Sequence, residues 1–199
     1  MNEKKLVGVA WPYANSHLHL GQFAGAYLPP DIFCRYHRFR GNDVLMVSGS
    51  DTHGTPITVT AQQEGVSPEE VIDRYHTSFL KVFEGLGISF DLFTHTNTEN
   101  HWAVTTDIFT RLLQKGYIYK KTTRALYCVD CDRFLADRYV EGTCPFCGFD
   151  GARGDQCDQC GKPIDALELV EPRCKWPTKE QNCLETEHFF LDLPKFNKP

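Results

Sequence analysis

The sequence predicts an α/β fold: strands and helices in alternation forming a largely parallel sheet, followed by a small metal-organised insert. Three observations carry this expectation. Two short apolar runs, Leu6–Ala10 and Val44–Val47, alternate with stretches of helical periodicity through the first 120 residues. Helix-start and helix-stop residues fall between them. From about Lys121 to Glu187 that periodicity vanishes, glycine, aspartate and cysteine dominate, and eight of the nine cysteines occur. The expected organisation is a first domain over residues 1–120, an insert over 121–187, and a return to the first domain over 188–199.

Each element has a local reason. Leu6–Ala10 is a strand that stops at a Trp11-Pro12-Tyr13 turn. The helical stretch after it places Ile32, Phe33, Tyr36 and Phe39 on one face, with Cys34 expected in the core. Pro29 and Pro30 are expected to break or kink that helix near its middle, because proline lacks an amide donor and constrains the residue before it. Val44–Val47 is a second strand, closed by Ser48-Gly49-Ser50-Asp51. Ser67-Pro68-Glu69-Glu70 is a capping-box helix start, and that helix runs to about Gly85–Gly87. Another helix spans about Glu99 to Lys115, ended by Gly116. His188–Leu193 reads as a strand returning to the first domain.

Composition narrows the function classes. With 41% hydrophobic and 24% charged residues in 199, the chain is ordinary for a globular protein, which excludes disordered, collagenous and coiled-coil readings. There is no run of 18 apolar residues and no signal-peptide core at the start, so a cytoplasmic, non-membrane protein is expected. A net charge of −5 argues against a protein that coats DNA, while leaving a shaped RNA open as a partner. Nine cysteines, six of them in three Cys-x-x-Cys pairs, point to a reducing compartment and metal ligation, not disulfides.

The turn Trp11 to Gln22 joins the first strand to the first helix. In a doubly wound sheet, ligands bind there, beyond the carboxyl ends of the strands. Free amides and the positive dipole end of a helix suit a phosphate. Gly21 lets backbone approach a ligand closely, and His19 can donate to a phosphate oxygen. Alone, a His-x-His pair is usually a surface loop; its place after the first strand is what singles it out.

Two longer patterns extend the argument: Pro-Tyr-Ala-Asn-x-x-x-His-Leu-Gly, and Gly49-Ser50-Asp51-x-His53-Gly54-Thr55-Pro56. With Leu126-Tyr127-Cys128, Phe134 to Arg138, Gly142-Thr143-Cys144-Pro145 and Glu187-His188-Phe189-Phe190, the whole chain resembles the methionyl-tRNA synthetases, a family of class I aminoacyl-tRNA synthetases. The resemblance implies a class I synthetase Rossmann-like nucleotide-binding domain with a zinc-knuckle insert. It also implies methionine, ATP with Mg, and tRNA as substrates: methionine's carboxylate attacks the α-phosphate, and the aminoacyl group then passes to tRNA. Carried over by position, His19, Gly21 and Gln22 match the family's His-Ile-Gly-His element. Glutamine stands at its fourth place, able to hydrogen-bond a phosphate but carrying no charge. Asp51 matches the aspartate that pairs with the methionine ammonium. Tyr13, with Trp11 and Ala10, matches the methionine-binding side of the pocket.

Cys144-x2-Cys147-x9-Cys157-x2-Cys160 is a four-thiolate zinc pattern, each turn offering two sulfurs and Gly148 and Gly161 tightening the turns. Closed coordination of this kind is structural. Around it lie Cys128-x2-Cys131 and Cys174, which the resemblance suggests as a second knuckle pair, sometimes with its own zinc. Pro177 stands where the last cysteine belongs. Cys183 as a fourth ligand, a three-coordinate site and an empty site all stay open, as does pairing Cys128/Cys131 with Cys144/Cys147 and Cys157/Cys160 with Cys174/Cys183.

Neither the family's lysine-rich Lys-Met-Ser-Lys-Ser loop nor its anticodon-binding helices occur in these 199 residues. Two readings follow. One is the amino-terminal half of a synthetase, active with a separate carboxyl-terminal half. The other is a non-catalytic zinc-stabilised module that binds nucleotide, methionine or RNA. A synthetase for another apolar amino acid is disfavoured by the two turn patterns.

Overall fold

The computed structural model describes residues 3–176 and 181–197. The chain divides into two compact units, Met1–Val104 and Thr105–Pro199. The first is an α/β unit. Strands β1 (Lys4–Gly8), β2 (Asp43–Ser50) and β3 (Leu92–His95) form a parallel sheet in the order β1-β2-β3. The register runs from Lys4 opposite Asp43 to Gly8 opposite Val47, then from Val47 opposite Leu92 to Ser50 opposite His95. Helices α1 (Leu20–Gln22) and α2 (Leu28–Phe39) connect β1 to β2, and α3 (Thr55–Glu64) and α4 (Pro68–Gly85) connect β2 to β3.

Both strands differ from the apolar runs in an informative way. β1 begins two residues before Leu6, whose side chain is 71% exposed; Val9 continues the pairing by donating to the Val47 carbonyl. β2 extends through Ser48 and Ser50, both buried, because the Ser48 hydroxyl donates to the Val9 and Ala10 carbonyls, each at 3.2 Å. A buried hydroxyl that is hydrogen-bonded does not interrupt a strand.

The helix between β1 and β2 is irregular ahead of its prolines. Residues Phe23–Tyr27 form a π-helical turn in which Leu28 donates to the Phe23 carbonyl, and Pro29 and Pro30 sit in the first turn of α2. In a first turn the missing amide would lack an intrahelical partner in any case, so the prolines open a regular helix. The apolar row Ile32, Phe33, Tyr36 and Phe39 does not face the core of this unit: Phe39 is 91% exposed, while Asp31 and Cys34 are buried. Asp31 can be buried because its carboxylate accepts from Arg35 at 2.6 Å and from the Ser89 amide.

The α4 capping box is present, Ser67 Oγ accepting from the Glu70 amide and Glu70 accepting from the Ser67 amide. This helix buries Val71, Ile72, Tyr75, Phe79 and Phe83, one stripe at helical spacing. Phe83 is central to the aromatic core, its ring 5.0–6.2 Å from those of Phe23, Tyr27, Phe90 and Phe93. Helix α5 (Glu99–Gln114) follows, and Gly116 closes it with a positive φ of 72°.

The second unit is built on a long antiparallel ribbon of β4 (Ile118–Cys128) and β9 (Gln181–Leu191), paired from Ile118 opposite Leu191 to Cys128 opposite Gln181. The return segment at His188 is thus the end of an eleven-residue strand whose partner is β4. β5 (Arg133–Phe134) pairs with β4, while β6 (Val140–Thr143), β7 (Asp150–Arg153) and β8 (Val170–Cys174) form a small sheet in the order β7-β6-β8. Among the described residues no helix is long and apolar enough to cross a membrane.

The packing yields a contrast that can be measured by urea denaturation. Phe83→Ala removes the ring that four others meet and should cost about 3–5 kcal/mol. Phe39→Ala, at an exposed site, should change stability by less than about 0.5 kcal/mol.

Candidate functional site

The carboxyl ends of β1 and β2 hold most of the residues singled out in the sequence. The chain leaves β1 through Trp11-Pro12-Tyr13 and immediately re-pairs with the end of β2. Asp51 donates its amide to the Pro12 carbonyl at 2.8 Å, and Ala14 donates to the Asp51 carbonyl at 2.9 Å. These bonds make Tyr13 and Asp51 bridge partners. Ala14 and Pro12 are buried, so Tyr13 between them presents an exposed ring. The Asp51 carboxylate accepts from the His53 amide at 3.2 Å, leaving its second oxygen to meet a cation. Asp51 therefore orders its own turn but is not the N-cap of α3, which is Gly54.

Trp11 is seated on Gly49. A Cβ at Gly49 would lie 2.6 Å from the indole and 2.7 Å from the Thr94 carbonyl oxygen. The glycine in Ser-Gly-Ser is thus a space requirement that links Trp11, β2 and β3. Nothing in the local pattern announced it. Ala10, exposed beside Trp11, offers its carbonyl to Ser48.

His19 is the N-cap of α1, with extended backbone. The Gln22 side-chain oxygen accepts from the His19 amide at 3.0 Å, so its carboxamide NH2 is the group left to serve a ligand. A Cβ at Gly21 would come within 3.2 Å of the His19 ring. These three residues therefore form one local assembly. Among the described residues, no hydrogen bond joins His19 or Gln22 to Tyr13 or Asp51. His17 has a structural role: its ring meets Ser78 Oγ at 3.1 Å and stands edge-on to Tyr75.

Sequence reasoning missed a polar cluster under the end of β2. Ser50 Oγ lies 2.8 Å from His76 Nδ1, and the His76 ring is 5.2 Å from His95. Burial first, then the charge of His95, holds His76 below the usual histidine range. These residues are 26 and 45 positions from Ser50, so only the fold brings them together.

The second unit gathers the cysteines. Cys144, Cys147, Cys157 and Cys160 place their sulfurs within 4.8 Å of one another. The Cys144–Cys160 and Cys147–Cys157 sulfurs are 3.9 and 3.7 Å apart. A tetrahedral ion with sulfur ligands at about 2.3 Å requires sulfur separations of about 3.8 Å, so the donors fit such an ion. The two turns are built alike. Gly148 donates to the Cys144 carbonyl and Gly161 to that of Cys157, with φ of 74° and 72°. The Cys160 amide, acting against burial and aided by the Gln159 amide, draws the Cys157 thiol down to about 7. The Phe149 amide favours the Cys147 thiolate, but burial and the other three thiols outweigh it and push Cys147 up to about 12. Thiolates crowded this closely are the setting a cation relieves.

Cys128, Cys131 and Cys174 form a second group with sulfurs within 4.8 Å. The hydrogen bond with Cys128, then burial and the charge of Cys174, push Cys131 up to about 11. Asp132 occupies the place that Gly148 and Gly161 fill in the inner turns, and it too has positive φ, 50°. Aspartate tolerates this conformation better than most residues. Cys183 is not part of the group among the described residues; it lies on β9 opposite Leu126. Pro177 lies outside the described residues. All nine cysteines are free thiols.

A parallel half-Rossmann sheet with a polar turn at its carboxyl end, followed by a unit of paired cysteine turns, is the arrangement of a class I synthetase-type protein. The family model for class I tRNA synthetases (M) matches residues 5–199, and the chain belongs to that family. The methionine–tRNA ligase of Thermomicrobium roseum is 62% identical over 190 residues, covering 96% of this chain and 32% of that protein. Those of Roseiflexus sp. and Dehalococcoides mccartyi are 60% and 58% identical, over 33% and 36% of their length. The chain spans about a third of the length of the curated relatives it matches. A solved methionyl-tRNA synthetase from Mycobacterium tuberculosis, in complex with methionyl-adenylate, shares the fold with a TM-score of 0.68 at 24% identity, covering 98% of this chain and 33% of that one.

Three outcomes follow. Gly49→Ala should destabilise the first unit by roughly 1–3 kcal/mol and shift Trp11 fluorescence, because the Thr94 carbonyl cannot move aside cheaply. At the inner cysteines, native mass spectrometry should find one divalent ion after zinc is added, lost in Cys144→Ser. Metal removal by a chelator should quicken as pH falls, because protons compete with the ion for the thiolates.

Proposed function

We propose that this chain supplies the amino-terminal half of the active site of a methionine–tRNA ligase. The observation that carries the reading is the Tyr13–Asp51 bridge at the sheet end, with the His19 assembly following in the same β1-to-helix connection. Sequence identity of 58–62% to methionine–tRNA ligases supports it.

In this reading Asp51 accepts hydrogen bonds from the methionine ammonium, and Tyr13, Trp11 and Ala10 bound its side chain. The methionine carboxylate oxygen attacks the α-phosphorus of MgATP; the bond to the β-phosphate oxygen breaks and pyrophosphate leaves. His19 and the Gln22 carboxamide donate to phosphate oxygens as charge builds, and Gly21 keeps the His19 ring clear. Such chemistry rests on position and charge stabilisation, with no covalent nucleophile needed from the protein. A hydroxyl at the tRNA end then attacks the activated carbonyl and AMP departs. Zinc held by Cys144, Cys147, Cys157 and Cys160 would order the insert, and Cys128, Cys131 and Cys174 offer a second, three-thiolate site. Free thiols suit the cytoplasm.

The β1 edge supports a requirement for a carboxyl-terminal half. In doubly wound sheets the first strand is interior, flanked on its second side by the strand that opens the other half. Among the described residues β1 is the edge of its sheet, and Leu6 is exposed. The competing reading, a non-catalytic module, rests on Gln22, which carries no charge where the family has histidine.

The test is methionine-dependent exchange of pyrophosphate into ATP. The 199-residue chain alone should show little. With a carboxyl-terminal half from a relative added, exchange should appear, fall by at least about 100-fold in Asp51→Ala, and rise in Gln22→His. Zinc-loaded, folded protein that shows no exchange with its complement sinks the ligase reading in favour of the module.

A further inference from the structure

The cluster of Ser50, His76 and His95 has no task in the chemistry above. Ser50 is fully buried, and its hydroxyl meets one partner among the described residues, Nδ1 of His76 on α4, at 2.8 Å. His95 stands opposite Ser50 in the last rung of the β2–β3 pairing, and its ring lies 5.2 Å from that of His76 at 80°. His95 Nδ1 is buried and has no hydrogen-bond partner among the described residues. Phe93, two residues earlier on β3, lies 5.6 Å from the His76 ring and joins it to the Phe83 core.

The peptide group that joins Ser50 to Asp51 is held at both ends. Its carbonyl accepts from the Thr96 amide at 3.1 Å, and its amide donates to the Pro12 carbonyl at 2.8 Å. Asp51 is thus set between extensions of β1 and β3, and the Ser50–His76 bond fastens the same rung to α4. A buried hydroxyl proton needs an acceptor; with Nδ1 in that role, the ring's own proton sits on Nε2. A second proton reverses the bond: Nδ1 must then donate, the hydroxyl must turn, and a cation faces His95 beside the rung that carries Asp51. Burial, and then the charge of His95, hold His76 below the usual histidine range, while Asp73 on α4 acts the other way. From the other elements against α4, Glu64 of α3 is paired with Arg74, and His17 of the β1 connection with Ser78.

We propose that His76 and His95 are positioning residues for the amino acid: the neutral pair holds Ser50, and with it the Asp51 carboxylate, in the place that meets the substrate's ammonium group. This role deepens the ligase reading, on which it rests, by tying amino-acid affinity to the charge of two residues behind the site. What two imidazoles add to such a place, beyond packing, is an acceptor for Ser50 and a proton-dependent charge. Two effects couple them to the substrate. Loss of the Ser50 bond frees the rung that carries Asp51, and a cation behind the carboxylate competes with the ammonium for it. Both act on binding of the amino acid and not on attack at phosphorus, so KM for methionine should respond and kcat much less. The sign follows from the charge. A neutral pair favours the bound state, so affinity is full at neutral pH and falls as acid protonates either ring.

The test uses the 199-residue chain with the added carboxyl-terminal half, read in two ways between about pH 5.5 and about pH 8. One is methionine binding by calorimetry; the other is KM and kcat in pyrophosphate exchange. In the unmutated protein, Kd and KM for methionine should rise about fivefold or more toward the acid end, with kcat changing less. His76→Asn can still accept from Ser50 but cannot titrate. It should keep KM within about twofold of the unmutated value at neutral pH and flatten the acid rise. His76→Phe and Ser50→Ala, which remove the bond, should raise KM about fivefold or more across the whole range, with circular dichroism showing that they fold. His95→Asn relieves His76 of a facing charge and should move the acid rise to higher pH. His19 and His53 remain in every variant, so an acid rise in His76→Asn as large as in the unmutated protein overturns the proposal. So does an unchanged KM in both His76→Phe and Ser50→Ala. Normal exchange with either result refutes the positioning role alone. Methionine binding whose acid dependence His76→Asn flattens, without any exchange, refutes the ligase reading alone. No methionine binding at all refutes both.

Discussion

Two backbone hydrogen bonds carry the first unit's candidate ligand site. Asp51 to Pro12 and Ala14 to Asp51 extend the pairing of β1 with β2 beyond the regular strands, across a segment that contains proline and would otherwise be a free loop. Everything at the sheet end depends on that extension. It fixes Tyr13 beside Asp51, it directs Trp11 onto Gly49, and it returns the chain toward His19 at the start of the helix. The arrangement tolerates an exposed aromatic pair because the bonds belong to the backbone, and the rings need not pay for their own placement. Side chains left in water by a rigid backbone are available to a ligand at small entropic cost.

The two units solve the problem of internal order by different physics. The first buries an aromatic cluster around Phe83, and its helices are held by ordinary apolar packing. The second has few large apolar residues within its small sheet; its buried groups include Cys144, Cys157, Cys128 and Cys174. Where apolar area is scarce, ligand bonds to an ion held by these thiols would supply folding free energy. The three repeated turns, two closed by glycine and one by Asp132, show the same backbone device used at each cysteine pair.

Elements with strong local signals were legible in advance. The α4 capping box needs only Ser67 and Glu70, three residues apart in one turn, and the end of α5 needs only Gly116. The inner four-thiol cluster was legible for the same reason: each turn holds its two sulfurs close, and a short linker joins the turns. What was not legible is which face of an element meets which neighbour. The apolar row on α2 reads as a core face, yet Asp31 and Cys34 are buried in its place, because the Arg35 and Ser89 partners of Asp31 come from the fold. The strand at His188 was recognised at its end only; its full length follows from pairing with β4, some 60 residues away in sequence.

By itself, then, the sequence determined the α/β class, the helix starts and stops, the sheet-end turn, and the four-thiolate donor set, all of which depend on residues within one turn or loop of each other. Tertiary structure alone decided that Gly49 must leave room for Trp11, that Ser50 meets His76 beside His95, and that three outer thiols gather without Cys183. The physical reason is the same in each case. These are contacts between segments far apart along the chain, set by strand register and close packing, and no local pattern of residue types encodes the distance between them.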